Sequence, residues 1–311
     1  MHAVTAAPPL TVSVLICTYN RHELLAGALH SLFAADPLPN EVVIVNGGDD
    51  RANSAVAPYL DRSDVRVHLI KTRNINLAAS RNVGLRHCTG EIVAMTDDDA
   101  EVFPDWIAQI RQTLARYPDA GAVGGLVIGV GRSLVSRLAD QVTFPRPAAG
   151  PVRTVPGVNV AYTRAALAVI GLQDETLFRG EDVDFNWRLH RAGYQIYFDP
   201  AIQVYHHHRP TLRRLLQQHY MYGRAYYFVR RKWPEMYCVY PHALRRPRDL
   251  LKALNFGVAV LYEPLLHLAR IEGTWDRIMA YPLMLALQIV WRGGMVREHL
   301  AAARSSGASR A

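Results

Sequence analysis

The first half of the chain alternates short apolar runs, rich in β-branched residues, with longer stretches of helical periodicity. Val12–Ile16 is the first apolar run, and apolar residues at helical spacing follow it as far as Leu32. This alternation predicts an α/β domain with an open, mainly parallel twisted sheet flanked by helices. The other predicted strands are Val42–Val45, Arg66–Ile70, Glu91–Thr96, Val158–Tyr162, Gln195–Phe198 and Ile202–Tyr205, and the other predicted helices are Leu77–His87, Pro104–Arg116 and Asp182–Ala192.

Beyond residue 208 the pattern becomes helical and basic. It predicts helices at Leu212–Lys232, Asp249–Leu268 and Trp275–Trp291. Neither of the last two contains the roughly 20 consecutive apolar residues that a membrane-spanning helix requires. We also interpret the N-terminal segment as lacking a signal peptide, because it has no basic leader and its apolar run is short.

The pattern divides the chain into an α/β domain and an extension. We predict the domain at residues 10–235, with halves at 10–130 and 131–235. A basic helical C-terminal extension then covers residues 236–311 and ends in a disordered tail after Ala301.

Charge is distributed unevenly along the 311 residues. Residues 1–200 hold 18 Lys and Arg against 21 Asp and Glu, whereas residues 201–311 hold 17 against 6. The net charge of +8 therefore arises in the last third of the chain. Such a segment can face nucleic acid, an anionic bilayer or a phosphorylated substrate, and composition leaves these open. Three widely spaced cysteines exclude a disulfide framework and suit a reducing compartment.

Three consecutive carboxylates, Asp97, Asp98 and Asp99, follow directly after a predicted buried strand. Alternate side chains of an extended chain lie on one face, so Asp97 and Asp99 can converge. Their charges repel one another unless a cation is shared between them, and oxygen ligands of this kind suit Mg²⁺ or Mn²⁺. An acidic, solvated loop explains the same residues equally well.

Two further clusters also have two interpretations each. Glu181 and Asp182 open a predicted helix, where they either cap its N-terminus or supply a general base that deprotonates an incoming hydroxyl. His206 ends a predicted strand, either as a polar terminator or as a neutral imidazole that completes a carboxylate metal site. Taken alone, the motifs leave both alternatives open.

Seven short motifs occur in order between residue 10 and about residue 230. They are Val14-Leu-Ile-Cys-Thr-Tyr-Asn-Arg21, Glu41–Val45, Asn76–Gly84, Thr96–Asp99, Gly157–Asn159, Gly180–Asp182 and Val204–His206. In order and spacing they resemble the motifs of family 2 glycosyltransferases. The resemblance implies a nucleotide-binding α/β fold of the GT-A type, and transfer of a sugar with inversion from a nucleotide-diphosphate donor.

The resemblance also implies roles for the residues on the donor side. It places Thr18 and Tyr19 at the base pocket and Arg81 near the nucleotide. Asn46 stands where the family usually has an Asp that reads uracil, so this departure leaves the base open, although a UDP-sugar is the expectation. An Asn side chain can still hydrogen-bond a base edge as both donor and acceptor.

Metal and catalytic roles follow from the same resemblance. Asp99 would bind Mg²⁺ or Mn²⁺ directly, with Asp97 and Asp98 on the ribose and the metal shell, and His206 would be a late metal or diphosphate contact. Asp182 matches the catalytic base and Glu181 an acceptor-site carboxylate.

The resulting hypothesis is an inverting, metal-dependent glycosyltransferase of cell-envelope, polysaccharide or glycolipid biosynthesis. Its expected partners are a nucleotide-sugar donor and a carbohydrate or lipid-linked acceptor. The aromatic and basic helix at Leu212–Lys232 can form an acceptor wall, and we expect no nucleic-acid partner. We expect a cytoplasmic protein, with peripheral contact to the anionic inner face of the plasma membrane left open.

Two alternatives stay open at this point. A nucleotidyltransferase on a related fold would normally need a Gly-rich phosphate loop near the N-terminus, and we find none in the sequence. A non-catalytic module that binds nucleic acid or membrane would have no need of the acidic triplet together with Asp182.

Overall fold

The computed structural model describes residues 8–131, 133–144, 146–207, 211–235, 247–268, 271 and 273–308. The chain divides into two compact units. The first unit comprises Met1–Ile128, Arg146–Glu175 and Glu181–His206, and the second comprises Gly129–Pro145, Thr176–Gly180 and His207–Ala311.

The main element of the first unit is a mixed sheet. Its nine strands are β1 (Val12–Thr18), β2 (Glu41–Asn46), β3 (Arg66–Lys71), β4 (Ile92–Asp97), β5 (Ala100–Val102), β6 (Ala120–Val130), β7 (Gly150–Val152), β8 (Asn159–Thr163) and β9 (Gln195–His207). The strand order is β3-β2-β1-β4-β8-β6-β9-β5, and β7 also pairs with β9. Strands β1 to β4 run parallel, whereas β8 pairs antiparallel with β4 and β6, and β9 pairs antiparallel with β5 and β7.

The described residues also form ten helices. They are α1 (His22–Phe33), α2 (Arg51–Leu60), α3 (Leu77–His87), α4 (Trp106–Arg116), α5 (Leu134–Thr143), α6 (Arg164–Ile170), α7 (Glu181–Arg191), α8 (Leu212–Lys232), α9 (Pro247–Leu268) and α10 (Thr274–Ala308). Helices α5, α8, α9 and α10 belong to the second unit and the other six to the first. The predicted α/β fold with a helical C-terminal region is therefore confirmed. Within the described residues, no helix has the length and hydropathy needed to cross a membrane.

Strands β1, β2 and β4 are buried on both faces, which explains why they lack polar alternation, whereas the edge strand β3 alternates exposed and half-buried residues at its start. Leu15, Val43 and Val93 belong to one buried cluster that also contains Tyr162 of β8 and Phe185 of α7. The rings of Tyr162 and Phe185 meet edge to face, with centroids 5.1 Å apart. This packing fixes the start of α7 against the sheet.

The two short strands predicted at Gln195–Phe198 and Ile202–Tyr205 are one continuous strand, β9. The intervening Asp199 and Pro200 are typical of a turn. Here the Asp199 carboxylate accepts hydrogen bonds from Thr113 Oγ1 at 2.9 Å and from the backbone N–H of Ala201 at 3.0 Å. Because the buried carboxylate is satisfied by α4 and by its own strand, the chain continues without turning.

In the second unit, α8 and α10 approach each other until their backbones are in contact. A Cβ atom on Gly223 would lie 1.7 Å from the carbonyl oxygen of Trp291, and one on Gly294 would lie 2.2 Å from that of Tyr220. This packing groups α8 with α10 in the second unit. The domain boundary at residue 235 stays a prediction.

The tail expected to be disordered after Ala301 is helical as far as Ala308, because α10 continues through it. The segment Ala301–Ala303 consists of the strongest helix-forming residue, which favours this continuation over disorder. The expectation of a disordered tail is therefore wrong for residues 302–308.

Two neighbouring glycines of α10 provide a matched test of the contact between α8 and α10. We expect Gly294→Ala to lower the free energy of unfolding by about 1–3 kcal/mol, because the new methyl group meets a backbone carbonyl that cannot rotate away. A Cβ on Gly293 meets nothing within 4 Å. We therefore expect Gly293→Ala to raise the free energy of unfolding by up to about 1 kcal/mol through helix propensity. Urea denaturation measures both, and equal effects would contradict the close approach.

Candidate active site

Three neighbouring parallel strands end together at one edge of the sheet. In the register of β1 with β2, Thr18 lies opposite Asn46, and in the register of β1 with β4, Cys17 lies opposite Asp97. Because the carboxyl ends of parallel strands meet at one edge, their polar ends come together in space. Tyr19 follows directly and is 52% exposed. The predicted donor-side residues Thr18, Tyr19 and Asn46 therefore share this edge with the acidic triplet.

The three carboxylates of the acidic triplet have different partners. Asp97 ends β4, and Asp98 and Asp99 form a turn before β5. The Asp98 carboxylate is buried, accepts a hydrogen bond from Thr18 Oγ1 at 2.8 Å, and lies 3.0 Å from Arg21 Nη1. Burial raises the pKa of Asp98 to about 7, against the opposing effect of Arg21. Asp98 thus anchors the turn to the end of β1.

The other two carboxylates converge with a histidine. In the pairing of β5 with β9, Ala100 lies opposite His206, and His206 Nε2 lies 3.3 Å from Asp99 Oδ1. One ligand atom from each of Asp97, Asp99 and His206 lies within 4.8 Å of the other two. The predicted convergence of Asp97 and Asp99 is therefore confirmed.

These three side chains suit a divalent cation. Burial opposes ionisation of Asp99, but contact with His206 and with Arg21 outweighs it and lowers the pKa of Asp99. The carboxylate is therefore ionised at neutral pH, as a metal ligand must be. Two carboxylates and an imidazole form a donor set that fits Mn²⁺ or Mg²⁺.

A buried arginine links the acidic turn to the start of α7. Arg81 of α3 donates from Nη2 to Asp97 Oδ1 at 3.0 Å and from Nη1 to Glu181 Oε1 at 3.1 Å. The carbonyl of Gly157 accepts a further hydrogen bond from Nη2 at 3.4 Å. Burial lowers the pKa of Arg81, but the carboxylates of Asp97 and Glu181 raise it more, so it remains charged. Arg81, which we predicted to lie near the nucleotide, is 3% exposed and connects the two carboxylates.

Glu181 and Asp182, which begin α7, have different surroundings. Glu181 is buried against Arg81, and burial, followed by the nearby charge of Asp182, raises its pKa. Asp182 is partly exposed, and its carboxylate accepts hydrogen bonds from the backbone N–H of Gly157 at 3.2 Å and of Val183 at 2.8 Å. Of the two carboxylates, Asp182 is the one that an incoming hydroxyl can reach.

Asn46 is fully buried at the end of β2, and both ends of its amide are engaged. Its Nδ2 donates to the carbonyl of Asp49, and its Oδ1 accepts from the backbone N–H of Gly48, both at 2.8 Å. A carboxylate at this position could not donate to the Asp49 carbonyl. Asn46 therefore shapes the loop that follows β2, and its contact with a nucleotide base stays a prediction.

Sequence reasoning did not select two residues that join the site together. Arg21 contacts the turn carboxylates, with Nη1 2.5 Å from Asp99 Oδ2, and Gly157 contacts both Arg81 and Asp182 through its backbone. A Cβ on Gly157 would lie 2.7 Å from Arg81 Nη1, so only glycine leaves room for the guanidinium. Both residues lie within the motifs that carry the resemblance, which was the available signal.

Two family models match the chain. The model described as glycosyl transferase family 2 matches residues 13–167, and the one described as glycosyl transferase family group 2 matches residues 92–293. The second covers more than half of the chain.

Curated proteins similar to this chain include sugar transferases and a polysaccharide biosynthesis protein. A glucosyl-dolichyl phosphate glucuronosyltransferase of Haloferax volcanii is 37% identical over 122 residues, which cover 38% of this chain and 39% of that protein. The succinoglycan biosynthesis protein ExoM of Rhizobium meliloti is 29% identical over 286 residues, which cover 80% of this chain and 92% of that protein. The match to a pre-mycofactocin glycosyltransferase of Mycobacterium tuberculosis is 30% identical and covers 47% of this chain and 33% of that protein.

Solved structures share the fold. The mannosyltransferase PcManGT from Pyrobaculum calidifontis, in complex with GDP-Man and Mn²⁺, superposes with a TM-score of 0.64 at 18% identity, covering 94% of this chain and 88% of that one. GalNAc-T7, with UDP, GalNAc and Mn²⁺, gives a TM-score of 0.53 at 18% identity, covering 65% of this chain and 44% of that one. These likenesses confirm the predicted GT-A type fold.

Proposed function

Because the chain belongs to glycosyl transferase family 2, we propose that it transfers a sugar from a nucleotide-diphosphate donor to an acceptor hydroxyl, with inversion. One observation carries this proposal: the buried Arg81 connects a candidate cation-ligand set to the residue next to a reachable carboxylate. Asp97 belongs to the ligand set, Arg81 connects it to Glu181, and Asp182 follows as the next residue. Sugar transfer from a diphosphate needs both a positive charge beside the departing diphosphate and a base for the acceptor hydroxyl.

On the donor side, Asp97, Asp99 and His206 would hold Mg²⁺ or Mn²⁺. When bound, the cation supplies positive charge against the negative charge that develops on the departing diphosphate. Thr18 and Arg21 hold the Asp98 turn in place, so the ligand carboxylates are positioned before the donor arrives. The complexes of PcManGT with GDP-Man and Mn²⁺, and of GalNAc-T7 with UDP, GalNAc and Mn²⁺, support a nucleotide-sugar donor.

On the acceptor side, Asp182 acts as the general base. The backbone N–H groups of Gly157 and Val183 fix its carboxylate, which then accepts the proton of the acceptor hydroxyl. Attack on the face opposite the leaving group inverts the anomeric carbon, and a single displacement needs only this one base. A glycoside hydrolase would need a second carboxylic acid to protonate its leaving group.

The names of the relatives support a class of acceptor. ExoM is named for succinoglycan biosynthesis, and a poly-β-1,6-N-acetyl-D-glucosamine synthase of Staphylococcus aureus is 22% identical over 198 residues. These names support a carbohydrate acceptor in polysaccharide synthesis, and the glucosyl-dolichyl phosphate glucuronosyltransferase of Haloferax volcanii supports a lipid-linked one in glycolipid synthesis. The nucleotidyltransferase alternative loses its support, because both family models that match the chain describe glycosyl transferases.

A donor screen tests the proposal. We expect metal-stripped protein to be stabilised by one nucleotide-sugar of a panel only when Mn²⁺ or Mg²⁺ is present, because the ligand carboxylates repel a diphosphate without the cation. At about 100 times its dissociation constant the donor would add about 2.7 kcal/mol of stability. Thermal unfolding with the free sugar and with the nucleoside provides the controls. Equal stabilisation with and without a cation would remove the metal role, and no stabilisation by any donor would remove the proposed function.

A further inference from the structure

Helix α9 of the second unit exposes an apolar face. Six leucines on it are each more than half exposed: Leu250, Leu251, Leu254, Leu261, Leu265 and Leu266. Among residues of α9 whose side chains are described, none of the exposed ones is charged. Among the exposed residues of α9 whose side chains the structure describes, only Asn255 and Tyr262 carry a polar side-chain group, and the Tyr262 hydroxyl donates to Asn255 Oδ1 at 3.2 Å. The described part of this face is therefore mainly apolar, and its two polar side chains are hydrogen-bonded to each other.

The other side of α9 packs on α10. The ring of Phe256 lies tilted at 44° to that of Trp291, with centroids 6.4 Å apart, and Arg292 Nη2 lies 2.9 Å from Glu263 Oε2. The hydroxyl of Tyr281 in α10 also donates to the carbonyl of Leu261 at 3.2 Å. These contacts fix the rotation of α9, so the leucine face points away from its own hairpin.

The first turns of α10 also expose apolar side chains. Trp275 is 79% exposed, and Ile278 and Met279 are each more than half exposed, at the i, i+3, i+4 spacing of one helix face. Buried Ala280 and Met284 pack on the opposite side, with Ile271. Monomeric proteins rarely leave apolar surface of this extent in water, so these residues indicate a docking surface.

The net charge of this region distinguishes between two possible occupants of the apolar face, a second copy of the chain and an anionic surface. Residues 201–311 hold 17 Lys and Arg against 6 Asp and Glu, so two copies of this region would repel each other, whereas an anionic surface attracts it. In sequence, Arg245 and Arg246 precede α9, Arg248 and Lys252 lie within it, and Arg270 and Arg277 lie on either side of the start of α10. These six basic residues stand against four acidic ones within residues 245–277, so the stretch that carries the leucine face has a net positive charge.

We propose that the α9–α10 hairpin docks on the surface of an anionic bilayer, with its leucines in the outer acyl region and Trp275 and Tyr262 at the level of the headgroups. Burial of exposed leucines provides the apolar part of the binding free energy, and each Lys or Arg near the anionic surface adds an electrostatic part. Docking of this kind is independent of the chemistry at Asp182, so its failure would leave sugar transfer intact.

Vesicle flotation of the full chain tests the proposal. We expect the protein to float with vesicles of phosphatidylcholine and phosphatidylglycerol, and to dissociate at high salt. The double variant Leu254→Ser/Leu265→Ser should bind at least about tenfold more weakly, because two apolar contacts are lost. Val169→Ser is the matched control, since Val169 is 62% exposed on α6 of the first unit, and it should bind as the wild type does. Equal binding of both variants would overturn the proposal.

Trp275 provides a second readout that does not depend on a loss of binding. Vesicles should shift the tryptophan emission of the wild type to shorter wavelength, and Trp275→Phe should still float but lose the shift. An unchanged shift in Trp275→Phe contradicts the proposed orientation. Light scattering tests whether a second copy of the chain occupies the face. The proposal would be overturned if the wild type formed a dimer but did not bind vesicles, and if Leu254→Ser/Leu265→Ser dissociated that dimer. The face would then belong to a contact between two copies.

Discussion

Replacing Asp99 with alanine is expected to lower the rate of sugar transfer by at least about 10³-fold, or about 4 kcal/mol in activation free energy. The Asp99 carboxylate contacts another proposed ligand as well as a cationic side chain, because its Oδ1 lies 3.3 Å from His206 Nε2 and its Oδ2 lies 2.5 Å from Arg21 Nη1. The substitution removes one of three ligands and releases both partners. Initial rates with saturating Mn²⁺ measure the loss, and calorimetric titration with donor and Mn²⁺ shows whether donor binding is lost with it.

Asp64→Ala is the matched control for this substitution. Asp64 is exposed and pairs only locally with Arg62, at 2.5 Å, so its removal also deletes one carboxylate from the first unit. We expect its transfer rate to stay at the wild-type level. A rate for Asp99→Ala within about tenfold of the wild type would show that the cation, if needed, is held elsewhere.

The second large effect is expected from Asp182→Asn, which should reduce transfer by about 10²–10⁴-fold while donor binding is retained. The amide has the shape of the carboxylate and can still accept a hydrogen bond from Gly157 or Val183, but it cannot take up the proton of an acceptor hydroxyl. The turnover number should therefore fall, and the dissociation constant of the donor, measured by titration, should not change. This separation distinguishes the substitution from Asp99→Ala, which removes a cation ligand.

Asp61→Asn tests whether loss of any carboxylate in the first unit has the same effect. Asp61 is exposed at the end of α2, so we expect normal transfer. If Asp182→Asn transfers sugar at the normal rate, the assignment of the general base is wrong, although the donor site would be untouched.

Local chemistry made the parallel half of the sheet predictable. Strands such as β1 and β4 are short β-branched runs buried on both faces, and each ends in polar residues that stop the strand. The acidic triplet could be placed at the carboxyl edge of the sheet for the same reason. The sequence could not predict that the side chains of Asp97 and Asp98 make different contacts, because Asp98 binds Thr18 and Arg21 at the end of a strand about 80 residues away.

Non-local pairing explains most of what the sequence did not predict. Strands β5 and β7 have only three residues each, too few for a periodic pattern, and they exist because β9 offers them a partner. The contacts of His206 follow from that pairing. Similarly, the ion pair between Glu181 and Arg81 of α3 joins residues 100 positions apart, so no local pattern indicated it. The role of Glu181 as an acceptor-site carboxylate stays a prediction.

The pairing of β5 with β9 also has a consequence for synthesis of the chain on the ribosome. A nascent chain that has emerged as far as β8 already contains both carboxylate ligands, but it lacks the imidazole at residue 206 and the strand that positions it. Cytosolic Mg²⁺ would find only a partial ligand set on such an intermediate. The complete set of proposed ligands, Asp97, Asp99 and His206, therefore exists only once the chain has emerged beyond residue 207, by which stage the proposed general base, Asp182, has also been made.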